Sequence, residues 1–308
     1  MKRQTGYRKD SAIPVVLGGG ARRGAYLLGL LQLLEEVEAS VAYFLCVSIG
    51  SFVGTLYTNG FSLAEIGEIM QDELFKNHLF AWTNPLNWLR SGWGEVTMWT
   101  RVLLPPCNWK RYLGLGLMDI LPIMQAVVHK YDLKWNSRIK LVAFDLQRLL
   151  PVVFQMAANE KEVRVSVEAH VVRIFVWSQE DLAAAMASSC CVCGPGMMRP
   201  IAYSLQGFDF LLVDGGFYHP QPGTLSESDT AVVGKLVDLP FTDWVFQDRK
   251  GDFAVDLSDP LEPFFSALSA NDVRRMQSAG YRRSRAALRT PILRGLIPAN
   301  RPHVLNPA

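Results

Sequence analysis

The chain has 308 residues, of which 49% are hydrophobic, and it carries a formal net charge of +2. This length and composition suffice for one large globular domain, or two small ones, with a sizeable buried core. A charge so close to zero excludes a general basic surface, so we expect no nucleic-acid partner.

The cysteine count and the N-terminal segment bear on the compartment. Five cysteines are an odd and sparse set for a disulfide framework, which favours a reducing compartment. The first apolar run is short and ends in glycines and arginines, unlike a signal peptide. Residues 39–64 contain no charged side chain, but a buried strand, a turn and a buried helix explain them better than a membrane span. The sequence predicts a cytoplasmic protein without a signal peptide or transmembrane helix.

The first sixty residues alternate between apolar strands and helices. The predicted strands are residues 13–17 and 41–46, and the predicted helices are residues 25–38 and 49–58. This alternation is typical of a parallel sheet with helical crossovers, so the predicted fold class is α/β. A further helix is predicted over residues 63–75, because Ser62 and Glu65 have the spacing of a capping box.

A tryptophan-rich segment interrupts this pattern at about residues 80–116 and contains five of the eight tryptophans. A lid or membrane-docking surface and a satellite hydrophobic core both remain open as interpretations. Strands return after it, followed by a helix that begins at Ser178 and a hairpin with its turn at Gln206-Gly207. We therefore predict one domain, with a core at residues 12–225 that includes this insertion, and a C-terminal strand and helical extension at residues 226–308.

Ser48 is the first candidate for chemistry, because it lies in “CVSIG” between a predicted strand and a predicted helix. An elbow of this kind projects a serine hydroxyl at the N-terminal end of the next helix, where backbone N–H groups favour developing negative charge. Gly50 matches the second glycine of G-x-S-x-G, and Cys46 replaces the first. A serine that merely caps a buried helix is the structural alternative.

The glycine-rich loop “GGGARRG” joins the first strand to its helix. In a parallel sheet its backbone N–H groups would lie beside the Ser48 elbow, where they could form an oxyanion hole. The alternative is a phosphate or dinucleotide loop, but neither G-x-x-x-x-G-K-[ST] nor G-x-G-x-x-G is present.

Asp214 is the candidate base, because an apolar strand ends at it in “LLVDGG”. Gly215 and Gly216 let the chain turn sharply, so that the carboxylate can reach the elbow of another strand. An Asp-Gly turn on the surface is the structural alternative.

Four motifs in order, “GGGARRGAY”, “VSIGSFVGTLYTNGFSLAEI”, “LAAAMASSCCVCGPGM” and “LLVDGG”, resemble the patatin-like phospholipases, and the resemblance covers residues 13–222. It implies a three-layer fold with a mostly parallel central sheet flanked by helices. It also implies an acyl-enzyme mechanism with a serine-aspartate dyad. Such enzymes cleave fatty acyl esters of phospholipids, lysophospholipids or neutral lipids without a metal or other cofactor, in peripheral contact with a membrane.

The roles implied by the resemblance fall on particular residues. Ser48 is expected to be the nucleophile and Asp214 its base. The expected oxyanion loop consists of Gly18, Gly19, Gly20, Arg22, Arg23 and Gly24. The elbow positions are Cys46 and Gly50, and the turn after the aspartate is Gly215-Gly216.

The sequence departs from the family pattern at three points. The loop has one residue more than G-G-G-x-R-G, Cys46 replaces an elbow glycine, and “FYHPQP” follows the aspartate turn. A second hypothesis is therefore a patatin-fold protein that binds lipid or a protein partner with little or no turnover. An α/β-hydrolase with His219 or His170 as base, and a nucleotide-binding protein, are weaker alternatives. We interpret Cys190 and Cys193, at C-x-x-C spacing, as packing residues rather than a zinc or redox pair.

Overall fold

The computed structural model describes residues 12–76, 120–192, 198–218, 222–236, 251–259 and 268–306. The tryptophan-rich insertion, Cys193 and His219 lie outside the described residues, and so do the predictions that concern them.

Ten strands form one mixed sheet among the described residues. They are β1 (Ile13–Leu17), β2 (Val41–Val47), β3 (Ile139–Asp145), β4 (Leu150–Met156), β5 (Arg164–Val167), β6 (Val172–Val176), β7 (Ile201–Leu205), β8 (Phe208–Asp214), β9 (Val232–Lys235) and β10 (Phe253–Asp256). The helices are α1 (Ala25–Glu36), α2 (Ile49–Thr58), α3 (Leu63–Ile69), α4 (Leu121–Lys130), α5 (Gln179–Cys190), α6 (Gly215–Tyr218) and α7 (Ala270–Leu293). Short 3₁₀ helices lie at Ala21–Gly24, Glu160–Glu162, Pro222–Leu225 and Pro302–Leu305.

The sheet has the strand order β10-β9-β1-β2-β3-β4-β6-β5, and β8 pairs with both β3 and β7. All pairs from β10 to β3 are parallel, and so is the pair of β4 and β6. β3 is antiparallel to β4 and β8, as are the hairpins β5-β6 and β7-β8. This mostly parallel central sheet with flanking helices confirms the predicted fold class.

Strand β1 is buried on both faces. Val15 and Leu17 belong to the larger hydrophobic cluster, which also contains side chains of α1, α2, α5 and α7. Val16 belongs to a smaller cluster that includes Leu225 and Ala231. Successive side chains of a strand point to opposite faces, so a strand covered on both sides reads as a continuous apolar run.

The last helix packs directly on α1. A Cβ atom on Gly29 would lie 2.2 Å from the Gln277 carbonyl oxygen, and one on Gly280 would lie 2.2 Å from the Tyr26 carbonyl oxygen. The backbones therefore touch where the helices cross.

The helix caps agree with the sequence. Ser62 and Glu65 form a complete capping box at the start of α3, which confirms the prediction. Ser178 caps α5 by accepting a hydrogen bond from the Asp181 N–H at 3.0 Å. Each cap satisfies a backbone donor that the first turn of a helix leaves without a partner.

Two helices end differently from the prediction. The predicted helix at residues 63–75 is α-helical only to Ile69 and continues as a π-helix over Met70–Lys76. Helix α1 ends at Glu36 rather than at Glu38, because Glu38 has a φ of 49°, in the left-handed region, and the chain leaves the helix there. The predicted hairpin turn is confirmed at Gln206-Gly207.

No described helix has both the length and the apolarity that a membrane crossing requires.

Candidate active site

Ser48 lies at a sharp elbow between β2 and α2. Its φ of 54° and ψ of −129° are unusual for a residue other than glycine, and only 7% of its surface is exposed. A backbone of this kind is strained and is often found at functional sites. Gly50 permits the close approach of α2 to β1, because a Cβ atom there would lie 2.1 Å from the Leu17 carbonyl oxygen.

Cys46, which stands where the family pattern has a glycine, is accommodated by Gly54 of α2. A Cβ atom on Gly54 would lie 2.4 Å from the Cys46 Sγ, so the thiol fills space that the glycine leaves free. Cys46 is fully buried, and burial raises the pKa of its thiol, which keeps it neutral. The absence of a side chain at Gly54 thus lets the elbow keep its close strand-to-helix packing with Cys46 in place.

The glycine loop lies beside the elbow, as the parallel pairing of β1 and β2 predicts. A Cβ atom on Gly19 would lie 2.8 Å from the Ser48 Cβ and 3.4 Å from its Oγ. The Gly18 N–H donates to the Gly234 carbonyl oxygen at 3.2 Å. The backbone N–H groups of Gly19 and Gly20 have no acceptor among the described residues. Gly19 and Gly20 are therefore candidates for donating to a ligand.

The arginines of the loop are turned towards the C-terminal part of the chain. The Arg22 guanidinium lies 3.4 Å from the Asp272 carboxylate at the start of α7, and Arg22 is almost fully buried. Arg23 donates to the Leu236 carbonyl oxygen at 3.4 Å. Gly24 packs on Ile49, with only 2.5 Å between a Cβ atom there and the Ile49 Cγ1. These contacts anchor the loop.

Strand β3 brings Asp214 to the elbow. Val142 pairs with Val47, the residue before Ser48, and the next residue, Ala143, pairs with Asp214. The end of β2, which directly precedes Ser48, and Asp214 at the end of β8 therefore lie opposite consecutive residues of β3. Gly215 is required here, because a Cβ atom on it would lie 2.8 Å from the Val142 carbonyl oxygen.

Asp214 is 1% exposed, and its surroundings favour a neutral carboxyl group. Burial raises its pKa to about 7, although the Ser48 hydroxyl and the Gly216 N–H partly offset this effect. Its Oδ1 accepts the Gly216 N–H at 2.8 Å. Its Oδ2 is buried without a regular hydrogen-bond partner among the described residues. A carboxyl group with a pKa near neutrality that interacts with the Ser48 hydroxyl is suited to general-base catalysis.

The last turn of α5 contacts both residues. The Ser48 N–H donates to the Ser189 Oγ at 3.0 Å, and the Cys190 thiol donates to the Ser48 carbonyl oxygen at 3.0 Å. The Asp214 N–H donates to the Cys191 carbonyl oxygen at 2.8 Å. From the sequence, we interpreted Cys190 as a packing residue, and neither Ser189 nor Cys191 was singled out. The segment “LAAAMASSCCVCGPGM”, one of the four motifs of the family resemblance, was the signal that could have found them.

The alternative chemistries find little support in the described residues. His170 is exposed at the end of the β5-β6 hairpin, and no hydrogen bond joins it to Ser48 or Asp214. Within the described ranges, no group of three or more His, Cys, Asp or Glu side chains is arranged to hold a metal ion.

Comparisons with known proteins identify a family and several similar proteins. The family model “Patatin-like phospholipase” matches residues 15–222. Over 55 residues, the chain is 49% and 47% identical to proteins named Lysophospholipase NTE1 from Candida glabrata and Saccharomyces cerevisiae. The aligned stretch is 18% of this chain and only 3% of either relative.

Two solved structures are also similar to the chain. VipD from Legionella pneumophila is similar with a TM-score of 0.43 and 11% identity, over 91% of this chain and 67% of that one. The type III effector protein ExoU is similar with a TM-score of 0.40 and 13% identity, over 91% of this chain and 53% of that one.

Proposed function

The chain belongs to the patatin-like phospholipase family, and we propose that it hydrolyses fatty acyl esters of phospholipids or lysophospholipids through a Ser48-Asp214 dyad. The observation that carries this proposal is the pairing of a strained, almost buried Ser48 with a carboxylate whose Oδ2 is left without a regular hydrogen bond. A carboxylate in that state is costly to bury, and a proton from the serine hydroxyl would compensate for it.

Acylation follows from this arrangement. The Ser48 Oγ attacks the ester carbonyl carbon, and Asp214 accepts the hydroxyl proton as the new C–O bond forms. The negative charge moves to the carbonyl oxygen, where the N–H groups of Gly19 and Gly20 are suited to donate to it. When the tetrahedral intermediate collapses, the ester C–O bond breaks, and Asp214 returns the proton to the leaving alcohol.

Deacylation reuses the same groups. Asp214 takes a proton from a water molecule, whose oxygen attacks the acyl carbon. Collapse of this second intermediate breaks the bond to Ser48 and releases a fatty acid, and the proton on Asp214 restores the serine hydroxyl. No step of this scheme requires a histidine.

The substrate class is proposed from the family and from the names of the relatives, which are lysophospholipases. Acyl esters of this kind reside in membranes or micelles, so we expect peripheral contact with a lipid surface. We further propose that the core and the C-terminal extension work as one domain, because α7 and Leu236 hold the arginines of the loop.

Labelling with a fluorophosphonate probe tests the proposal. The probe phosphonylates an activated serine, and intact-mass analysis counts the adducts on each chain. We expect one adduct on the wild type and none on Ser48→Ala. An unlabelled wild type that still binds lipid vesicles would favour a lipid-binding protein without turnover. Labelling that persists in Ser48→Ala would exclude Ser48 as the nucleophile.

A further inference from the structure

Ser189, near the end of α5, makes a fully buried set of hydrogen bonds around the elbow. Its Oγ lies 3.0 Å from the Ser48 backbone nitrogen, 2.6 Å from the Ser51 Oγ and 2.6 Å from the Val142 carbonyl oxygen. Its relative exposure is 0%. A hydroxyl group has one proton to donate and two lone pairs to accept with, so these three contacts use it completely.

The direction of each hydrogen bond follows from this limit. A carbonyl oxygen only accepts, so the Ser189 proton goes to Val142. The Ser189 oxygen must then accept from both the Ser48 N–H and the Ser51 hydroxyl. The Ser48 N–H is thereby occupied, which leaves oxyanion stabilisation to the glycine loop.

At Val142, the strand that pairs with β3 changes from β2 to β8. Val142 itself pairs with the end of β2, and the following residue pairs with Asp214 at the end of β8. Ser189 therefore connects the Ser48 peptide to Val142, and the residue after Val142 on β3 pairs with Asp214.

The next two residues extend this arrangement. Cys190 donates its thiol proton to the Ser48 carbonyl oxygen, opposite the N–H that Ser189 holds. Cys191 accepts the Asp214 N–H through its carbonyl oxygen. Three consecutive residues thus hold the backbone of both members of the proposed dyad.

We propose that Ser189 is a positioning residue that holds the Ser48 peptide in its strained orientation, with Cys190 acting on the carbonyl side of the same residue. This inference rests on the proposed function, because it assigns Ser189 a part in presenting the Ser48 hydroxyl to Asp214. The strained backbone of Ser48 requires such external support, since strain persists only where the surroundings hold it.

Ser188 provides a matched control. Its hydroxyl is as buried as that of Ser189, on the same helix turn, but it donates at 2.7 Å to the Ala184 carbonyl oxygen within α5. Ser188→Ala and Ser189→Ala therefore remove the same atom from equally buried positions, but only Ser189→Ala removes a hydrogen bond to Ser48.

The test measures kcat, KM and the rate of fluorophosphonate labelling for both variants. We expect Ser189→Ala to lower kcat and the labelling rate at least about tenfold with KM within twofold, and Ser188→Ala to keep both rates near wild type. Cys190→Ser, which keeps a donor, is expected to retain more activity than Cys190→Ala, and this pair decides the outcome if Ser189→Ala does not fold. Equal rates in Ser189→Ala and wild type, or equal losses in both serine variants, would overturn the proposal.

Amide hydrogen exchange at Ser48 separates this inference from the proposed function. We expect protection of the Ser48 N–H in the wild type, and exchange at least about tenfold faster in Ser189→Ala but not in Ser188→Ala. This result is independent of turnover, so it tests the contact even if the wild type fails to label. Unchanged exchange in Ser189→Ala would refute the positioning role.

Discussion

Gly19 lies against Ser48 so closely that a Cβ atom on Gly19 would be only 2.8 Å from the Ser48 Cβ. The backbone that is proposed to stabilise the oxyanion is thus in direct contact with the nucleophile. Any side chain at position 19 must displace either the loop or the serine. The contact therefore couples the geometry of the loop to the position of Ser48.

Gly19→Ala should reduce activity more than stability, because the displaced groups are the reacting ones. We expect kcat to fall about 100-fold, the usual effect of losing one oxyanion donor. Gly29→Ala is the matched control, since its Cβ would lie 2.2 Å from the Gln277 carbonyl oxygen, in the α1-α7 crossing. It should lower the free energy of unfolding by about 1–3 kcal/mol while the folded fraction remains active. Lipid hydrolysis and urea unfolding measure the two effects, and a fully active Gly19→Ala would contradict this account.

The pH dependence of activity should report the ionisation of Asp214. The proposed mechanism requires the Asp214 carboxylate, and burial raises the pKa of Asp214 to about 7. We expect kcat/KM to fall about tenfold per pH unit below that value and to level off above it. Initial rates with a soluble ester between pH 5 and pH 9 measure this profile. A flat profile across pH 5–8 would argue against Asp214 as the base.

Asp214→Asn should abolish activity and yet stabilise the protein at neutral pH. The folded state raises the pKa of Asp214 from 3.8 to about 7, so ionisation opposes folding. This destabilisation is absent below about pH 4, grows as the pH rises, and is complete above about pH 7, where it reaches about 4 kcal/mol. The variant should therefore exceed the wild type in stability above pH 7, and the difference should vanish towards pH 4. Urea unfolding at about pH 4 and above pH 7 measures the difference in free energy of unfolding between the variant and the wild type. An equal difference at both pH values would contradict the raised pKa of Asp214.

The strand and helix patterns predict much of this site from the sequence. Ser48 and Asp214 each follow an apolar strand, and parallel pairing of the first two strands predicts that the glycine loop lies beside the elbow. Those inferences need only local periodicity and the rules of parallel sheets. The prediction that glycine-rich “GGGARRG” contacts the elbow is met at Gly19.

Other features depend on contacts between distant parts of the chain. The Gly18 N–H donates to the Gly234 carbonyl oxygen, and this hydrogen bond exists only because β9 lies beside β1. The bond from Ser48 to Ser189 spans 141 residues, and a serine near a helix end gives no local sign of it. The short strand β5 was not predicted, because its residues are exposed or half-buried and lack a continuous apolar run. Side-chain hydrogen bonds and edge strands are set by tertiary packing, which periodicity does not encode.

Cys46 and Gly54 should behave as a compensating pair. Gly54→Ala places a methyl group 2.4 Å from the Cys46 Sγ, which should destabilise the fold by about 1–3 kcal/mol. Cys46→Gly alone should also be destabilising, because it leaves a cavity and a flexible strand residue. The double variant should recover at least about 1 kcal/mol relative to the sum of the single changes.

A variant at Gly50 provides the control for the pair of Cys46 and Gly54. Gly50→Ala places its methyl group 2.1 Å from the Leu17 carbonyl oxygen, which is backbone, so Cys46→Gly should not rescue it. Urea unfolding of the three single variants and of the two double variants, Cys46→Gly/Gly54→Ala and Cys46→Gly/Gly50→Ala, measures the coupling. Strict additivity between the changes at positions 46 and 54 would refute the direct contact between the Cys46 thiol and position 54.

The most direct test of the dyad is fatty acid release from lysophosphatidylcholine and phosphatidylcholine in the presence of a metal chelator. The wild type should hydrolyse at least one of these lipids, and Ser48→Ala and Asp214→Asn should each lower kcat at least about 10³-fold. The double variant should be no worse than either single variant, because the two residues act as a unit. Undiminished hydrolysis by Asp214→Asn, or hydrolysis that the chelator abolishes in the wild type, would contradict the Ser48-Asp214 mechanism.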